Sequence, residues 1–382
     1  MPHRIRHLVL ALTFVLASCG ETRSLPQAKL AVADALAGTG QQGFAKVTER
    51  RPFSFPADHG PHPAYATEWW YYTGNLRDAA GRRFGFQLTF FRFGLTPQAP
   101  RRASDFGASA IYMAHFALAD GAGQFHAFER FSRDGAGLAG AQAEPFRAWL
   151  EGWSADSAPG SAIPMRLRAA QDDVAIDLTL QQGKPTVLQG DGGLSQKSAE
   201  PGNASYYYSI TRMPTKGSVS VGGQRYEVEG LSWMDREWST SALGPGQIGW
   251  DWFALQLDDG RELMYYRLRR ADGGLDPYSK GVIVNADGTT QTLRQTDVTI
   301  EPTGSWTSQR SGAVYPSGWR LRAPSANIDL TIAPLLKDQE LPTTVIYWEG
   351  AVDLGGSSGG SGYIELTGYA DAGNALERAR GR

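Results

Sequence analysis

Several segments of this chain carry aromatic residues at consecutive positions, and that limits what they can become. In EWWYY (68–72), a strand's period of two sends Trp69 and Tyr71 to one face and Trp70 and Tyr72 to the other. Neither face is suited to water. One set must pack a core, while the other lines a cavity or a second interface. The same density recurs in FQLTFFRF, YYYSITRM, GWDWFALQL and VIYWEGAV. Aromatics make up 11% of the chain, with 11 Trp, and 46 Gly supply turns between short strand-like runs. Few long apolar patterns have helical period, so the expected class is all-β.

GLSWMDREWS (230–239) sharpens the problem. One register reads Leu231, Trp233, Asp235, Glu237 and the other Ser232, Met234, Arg236, Trp238. Charges sit among apolar residues in both. Buried charge is costly unless paired, so these residues are expected at a seam or cavity.

Hairpin signals organise the rest. YATEWWYYTGNL and RRFGFQLTFFRFGL flank Asp78-Ala79-Ala80-Gly81; GWDWFALQL and RELMYYRLRR flank Asp258-Asp259-Gly260. Trp69, Tyr72, Leu76, Asp78, Gly81 and Arg82 match Trp250, Phe253, Leu257, Asp259, Gly260 and Arg261, a faint internal repeat that favours two similar β-domains. The boundary is expected near residues 220–230, giving domains 47–228 and 229–372 and a tail 373–382. GGSSGGSG (355–362) reads as a hairpin loop within the second domain.

Residues 1–18 combine Arg4 and Arg6, an apolar run and small residues ahead of Cys19, the pattern of a secretory signal. Leu16-Ala17-Ser18-Cys19 resembles a bacterial lipobox, which would lipidate Cys19 and anchor the chain to the cell envelope, with Gly20 suggesting the outer membrane. Residues 19–46 read as a tether with room for one helix.

Composition and motifs narrow the chemistry. Net charge is −2, so nothing suggests nucleic acid as a partner. A single Cys excludes an intrachain disulfide and a Cys metal cluster. His59-Gly60-Pro61-His62 reads as a surface loop rather than a zinc site, and no metal or other cofactor is expected. His115 fits either a hydrogen-bonded core position or a catalytic one. A Gly-x-Ser-x-Gly elbow is absent, as is a phosphate-cradling loop. What remains is polar residues set in aromatic strands: Glu68, Gln87, Arg92, Arg212, Asp235, Arg236, Glu237, Asp251, Arg267 and Glu349. They form either paired bridges between two domains or the few polar groups of an apolar small-molecule pocket. In a pocket, a carboxyl among Trp rings has its pKa raised and can donate a proton, an effect that Arg236 or Arg212 nearby would oppose.

EWWYYTGNL, FGFQLTFFR, YYSITRMPTKG, GLSWMDREWS, GWDWFALQL and YWEGAV…GYIELTGY together resemble the AttH-like family, related to carotenoid 1,2-hydratases, over roughly residues 50–372. The resemblance implies two tandem lipocalin-like (calycin-type) antiparallel β-barrel domains and a role in lipid or isoprenoid handling, with an ABC transporter permease as a partner. It implies a lipoprotein that binds or transfers a hydrophobic lipid or isoprenoid; alternatively, a hydratase or isomerase with Asp235, the Asp of SWMD, as general acid; or a structural adaptor of the transporter. In the enzyme reading Trp233 and Tyr266 are pocket partners of Asp235. The ligand contacts are then Glu68, Trp70, Tyr72, Gln87, Arg92, His115, Tyr208, Arg236, Glu237, Trp250, Trp252 and Trp348. The chain departs from the hydratases in lacking a His in SITRMPTKG and in carrying Trp233 two residues before the Asp. Arg236 stands where more typical AttH-like sequences have His.

Overall fold

A computed structural model describes residues 42–97, 107–240 and 243–370. The expected signal segment, Cys19, most of the tether and the tail lie outside the described residues.

Those residues form strands joined by turns and four 3-10 turns, with no α-helix among them. The first sheet holds β1 (Thr67–Asp78), β2 (Arg83–Gly94), β3 (Ala110–Asp120) and β4 (Gln124–Arg133). It continues with β5 (Ala139–Gln142), β6 (Arg147–Leu150), β7 (Trp153–Ser157), β8 (Met165–Gln171) and β9 (Val174–Leu180). It ends with β10 (Val187–Leu188), β11 (Leu194–Gln196), β12 (Ala204–Val221) and β13 (Gln224–Ser239). The strand order is β4-β3-β2-β1-β13-β12-β9-β8-β7-β6-β5, with β10 and β11 paired to β12.

The second sheet is built from β14 (Gln247–Leu257), β15 (Glu262–Arg270), β16 (Lys280–Val284), β17 (Thr290–Arg294) and β18 (Thr299–Pro302). After a separate small pair, β19 (Ser305–Thr307) and β20 (Val314–Pro316), it adds β21 (Trp319–Ala323), β22 (Ile328–Pro334), β23 (Glu340–Pro342), β24 (Ile346–Gly356) and β25 (Gly360–Leu366). Its order is β17-β16-β15-β14-β25-β24-β22-β21-β18, with β23 on β24. Both are curled, barrel-like antiparallel sheets, as expected of tandem lipocalin-like domains.

GLSWMDREWS does not open the second barrel. It is the latter part of β13, paired with β1 on one side and β12 on the other. The change of sheet falls between Ser239 and Gln247, later than the expected 228/229 boundary. Long β12 and β13 form a hairpin whose tip at Gly222-Gly223 resembles a linker in sequence. The Ser357-Ser358-Gly359 turn joins β24 to β25 inside the second sheet, as expected.

Burial follows the two kinds of strand. In β8 and β9 buried residues alternate with more exposed ones, so that wall of the first barrel faces water. In β1 and β2 both faces are largely covered. Trp70, Tyr72, Phe86, Leu88 and Phe90 fill the first barrel, and Phe253, Leu255, Trp319, Trp348 and Ile364 fill the second. Full burial of such apolar side chains contributes about 1.5–3 kcal/mol each. The opposite faces meet at a seam that includes Tyr71, Tyr207, Trp233, Trp252, Tyr266 and Tyr363. Close approach there needs Gly85, since a Cβ at this position would lie 2.4 Å from the Ala351 Cβ.

Candidate active site

The seam is not closed throughout. Between the sheets lies a cavity of about 150 Å³, walled on one side by Trp69 and Tyr71 of β1, Gln87 and Thr89 of β2, and Met113 and His115 of β3. β12 and β13 extend that wall with Ser205, Tyr207, Asp235 and Glu237. The second sheet supplies Trp250 and Trp252 from β14, Tyr266 and Leu268 from β15, Tyr347 and Glu349 from β24, and Glu365 from β25. Half-buried Trp69, Phe91, Phe93 and Leu243 complete its apolar lining. Apart from Ala204 at the start of β12, the first-sheet strand residues on the cavity share the outward parity of their strands. Trp69 and Trp250, equivalent in the internal repeat, face each other's domain.

Carboxyl groups dominate the polar lining. Asp235 is buried and receives three hydrogen bonds: Ser209 donates to Oδ1 at 2.5 Å, Trp233 Nε1 donates to Oδ1 at 2.7 Å, and Tyr207 donates to Oδ2. The two hydroxyls are oriented by donors of their own, Gln189 Nε2 to Ser209 at 2.8 Å and Trp252 Nε1 to Tyr207 at 3.2 Å. Burial pushes the Asp235 carboxyl up to about 7; the three donors pull against it and the Glu237 charge adds to it. Glu237 accepts from Ser205 and pairs with Lys197 at 3.0 Å, whose ammonium also lies 4.4 Å from the Tyr266 ring centre. Burial works to lower the Lys197 ammonium, but the charge and hydrogen bond of Glu237 together with Tyr266 and Asp235 outweigh it and hold it above its usual value.

Glu349 and Glu365 lie directly opposite each other on β24 and β25. Tyr71 donates to Glu349 Oε1 at 2.5 Å, and Trp250 Nε1 donates to Glu365 Oε1 at 2.8 Å. Burial, reinforced by the facing Glu365, pushes the Glu349 carboxyl well above the carboxylate range. Burial likewise lifts Glu365 to about 7, against the Trp250 donor and with Asp235 and Glu237 adding to the rise. Glu349 Oε2 is buried and has no hydrogen-bond partner of normal geometry. Beside it Tyr347 lies 2.7 Å from His115 Nδ1, and His115 Nε2 lies 3.0 Å from Glu129 Oε1. Among the described residues no group of His, Cys, Asp and Glu is placed to hold a metal ion.

Of the residues singled out in the sequence, Asp235, Tyr266, Gln87, His115, Glu237, Trp250 and Trp252 come together on this cavity, with Trp233 behind Asp235. The others face elsewhere. Glu68 lies in the first barrel, paired with Arg236 and with Arg92 at 3.2 Å. Arg236 is sandwiched there, 4.0 Å from the Trp70 ring centre and 5.1 Å from that of Trp238. Tyr72 fills the same barrel and Tyr208 meets His59 Nδ1 at 2.6 Å. Trp348 is in the second barrel's core. Parity is the reason: each is one residue out of step with a cavity residue on the same strand. His59 and His62 are not in a surface loop either, since His59 is buried and His62 stacks on Trp238 at 3.7 Å.

Sequence reasoning named Glu349 only among the polar residues of the aromatic strands, as a bridge or a pocket group, and missed Glu365, Tyr71, Tyr207, Tyr347, Lys197 and Glu129 as site residues. For Tyr207 and Tyr71 a signal existed, because both share parity with cavity positions within their own strands. For Lys197, outside the aromatic segments, and for Glu129, on the partly exposed strand β4, there was none.

The AttH family, described as AttH-like, matches residues 46–369. A crystal structure of a Nitrosomonas europaea protein assigned to AttH has 33% identity and a TM-score of 0.78, covering 85% of this chain and 99% of that one. Kievitone hydratase of Nectria haematococca has a TM-score of 0.63 at 15% identity, covering 85% and 98%. CghA with Sch210972 has a TM-score of 0.50 at 15% identity, covering 87% and 98%. These two likenesses show the fold. No curated protein matches the chain significantly. With a family match across nearly all of the two-barrel region, the chain belongs to the AttH-like family.

Proposed function

We propose that the interdomain cavity is the active site of a hydratase or isomerase, in which Glu349 protonates an apolar alkene. The observation that carries this reading is the state of Glu349: buried on the cavity wall, opposite a second carboxyl, and pushed above the carboxylate range by burial and the facing Glu365 against hydrogen bonds from Tyr71 and Tyr347. Such a carboxyl keeps its proton at neutral pH and has no competing acceptor holding it. Asp235, expected from the sequence as the acid, suits a different task. Both its oxygens already accept hydrogen bonds, so a proton there would displace one. As a carboxylate it faces the positive charge that protonation creates.

The chemistry balances simply. The alkene π pair takes the Glu349 proton to form a C–H bond, leaving a cation on the neighbouring carbon. Faces of Trp252, Tyr71 and Trp250 stabilise that cation. Water then forms a C–O bond and gives up a proton that restores Glu349, giving hydration; transfer of a different carbon-bound proton to the Glu349 carboxylate instead gives isomerisation. A cavity of about 150 Å³ seats one ring-sized or isoprene-sized group, so the reacting end of a larger substrate enters and the remainder stays outside. A passive lipid carrier gains nothing from several buried carboxyl groups, each costly to desolvate. Kievitone hydratase, a hydratase by name, shows that this fold accommodates the reaction class. An anchor at Cys19, with an ABC transporter permease nearby, belongs to the same proposal: it would hold the cavity near a membrane rich in apolar substrate.

The test is incubation of the full chain with geraniol, squalene and a prenylated phenol in D2O, followed by mass spectrometry. Hydrated product or deuterium-labelled alkene is expected, and Glu349→Gln should lower the rate by ~10²–10⁴ while retaining ligand binding. Binding without turnover by the wild-type protein would replace this reading with the carrier.

A further inference from the structure

We propose that Glu129, His115 and Tyr347 form a catalytic triad that takes the proton from the attacking water and returns it to Glu349. This rests on the reading of Glu349 as the acid and adds the base that the hydration branch requires.

The three groups connect the outer part of the first sheet to the cavity. Glu129 lies on β4 with 15% of its side chain exposed, and its carboxylate accepts from the Thr344 backbone N–H at 3.0 and 3.1 Å and from Thr344 Oγ1 at 2.8 Å. Burial raises its carboxyl, but His115 and Thr344 together outweigh burial and bring it below the usual value. An ionised Glu129 accepts hydrogen bonds only, so His115 Nε2 carries a hydrogen and donates it at 3.0 Å. That leaves Nδ1 as an acceptor, which receives the Tyr347 hydroxyl hydrogen at 2.7 Å. The order carboxylate, imidazole, hydroxyl is the arrangement that makes a hydroxyl oxygen basic in an activated triad. Here the hydroxyl belongs to a cavity residue two positions before Glu349 on β24, on the same face.

The proton path closes without any external reagent. As water forms its C–O bond to the cation, one of its hydrogens passes to Tyr347 Oη while the Tyr347 hydrogen moves to His115 Nδ1. The imidazolium so formed is stabilised by Glu129. It then returns the Nδ1 hydrogen to Tyr347 Oη as Tyr347 gives its own to Glu349, which regains the proton it spent on the alkene. Tyr347 already lies within hydrogen-bonding reach of the Glu349 carboxyl, which is placed to receive it.

A purely structural role is the competing account, since the same hydrogen bonds tie β4 and β3 to the second sheet. Two readouts separate them. In D2O, Glu349→Gln should lose both deuterium incorporation into recovered alkene and hydration. His115→Phe and Glu129→Gln should keep the former within about twofold and lose hydration by ~10²-fold or more, the lower end for removal of a general base. Nitrogen-15 NMR of the wild-type chain should find His115 with its hydrogen on Nε2. In Glu129→Gln, whose side-chain amide donates to Nε2, the hydrogen should move to Nδ1. Parallel loss of exchange and hydration, or no loss in either, would overturn the triad, as would an Nδ1-bound hydrogen in the wild type. A wild-type protein inert toward every alkene would overturn the acid, and the triad's role with it; the NMR result then still reports whether the three groups are arranged as described.

Discussion

Tyr71 on the first sheet donates its hydroxyl hydrogen to Glu349 on the second at 2.5 Å, across the seam and at the wall of the cavity. The bond couples domain packing to the state of the acid. It stabilises the charged form of Glu349 against burial and the facing Glu365, which both favour the neutral form. Removing it with Tyr71→Phe should make Glu349 a weaker acid still. A rate loss of about tenfold is expected, equivalent to ~1–2 kcal/mol, the size of one hydrogen bond to a buried polar group. Infrared spectroscopy should show the protonated carboxyl of Glu349, identified by its absence in Glu349→Gln, persisting to higher pH in the variant. An unchanged carboxyl titration would show that this contact does not set the acid's strength.

Glu365 should cost stability at neutral and alkaline pH. Its folded pKa of about 7 lies above the usual 4.5, so below about 4.5 the folded and unfolded chains are both protonated and the group costs nothing. Between that point and about 7 the unfolded chain is ionised while the folded group is not, so stability falls across this window; above about 7 both are ionised and the loss is complete. The penalty reaches up to about 3 kcal/mol. Glu365→Gln, which preserves the acceptor for Trp250, should therefore unfold at higher denaturant than wild type at pH 8 and match it at pH 4.5. Equal midpoints at pH 8 would count against a strained carboxyl.

Glu68 should behave in the opposite way. Burial raises its carboxyl, but Arg236, His62 and Arg92 more than offset this and hold it at about 2, below the usual 4.5. Its contribution is fully present above about pH 4.5 and disappears as pH falls toward 2. Glu68→Gln leaves two buried guanidinium groups short of a partner and should cost about 3–5 kcal/mol at pH 7. The gap from wild type should narrow in denaturant titrations below pH 4.5.

Gly85 should be intolerant of even one added carbon. Its missing Cβ is where Ala351 packs, so Gly85→Ala should push the sheets apart and cost about 1–3 kcal/mol. Because the same seam positions Tyr71 against Glu349, activity should fall with stability. A variant as stable as wild type would show that the seam yields locally.

Much of the architecture was legible in the order of residues. The two hairpins and the internal repeat follow from period two and turn chemistry, which are local. The need to cover both faces of β1 and β2 followed from Trp69-Trp70-Tyr71-Tyr72, because no strand leaves such a run in water. The site was only half legible. In β13 the sequence marked Asp235, Arg236 and Glu237 alike, yet alternation sends Asp235 and Glu237 to the cavity and Arg236 to the first barrel. In β24 the same one-residue step separates Glu349 from Trp348.

By itself, then, the sequence determined which segments become strands, since backbone period and side-chain shape act within a few residues. Tertiary structure decided which face of each strand meets the other barrel. It also decided that β13 belongs to the first sheet and that Glu349 meets Glu365, Tyr71 and Tyr347. Those outcomes depend on sheet order and seam packing between residues as far apart as Tyr71 and Glu349. Burial and neighbouring charge, which set the state of each carboxyl, exist only once those distant residues are brought together.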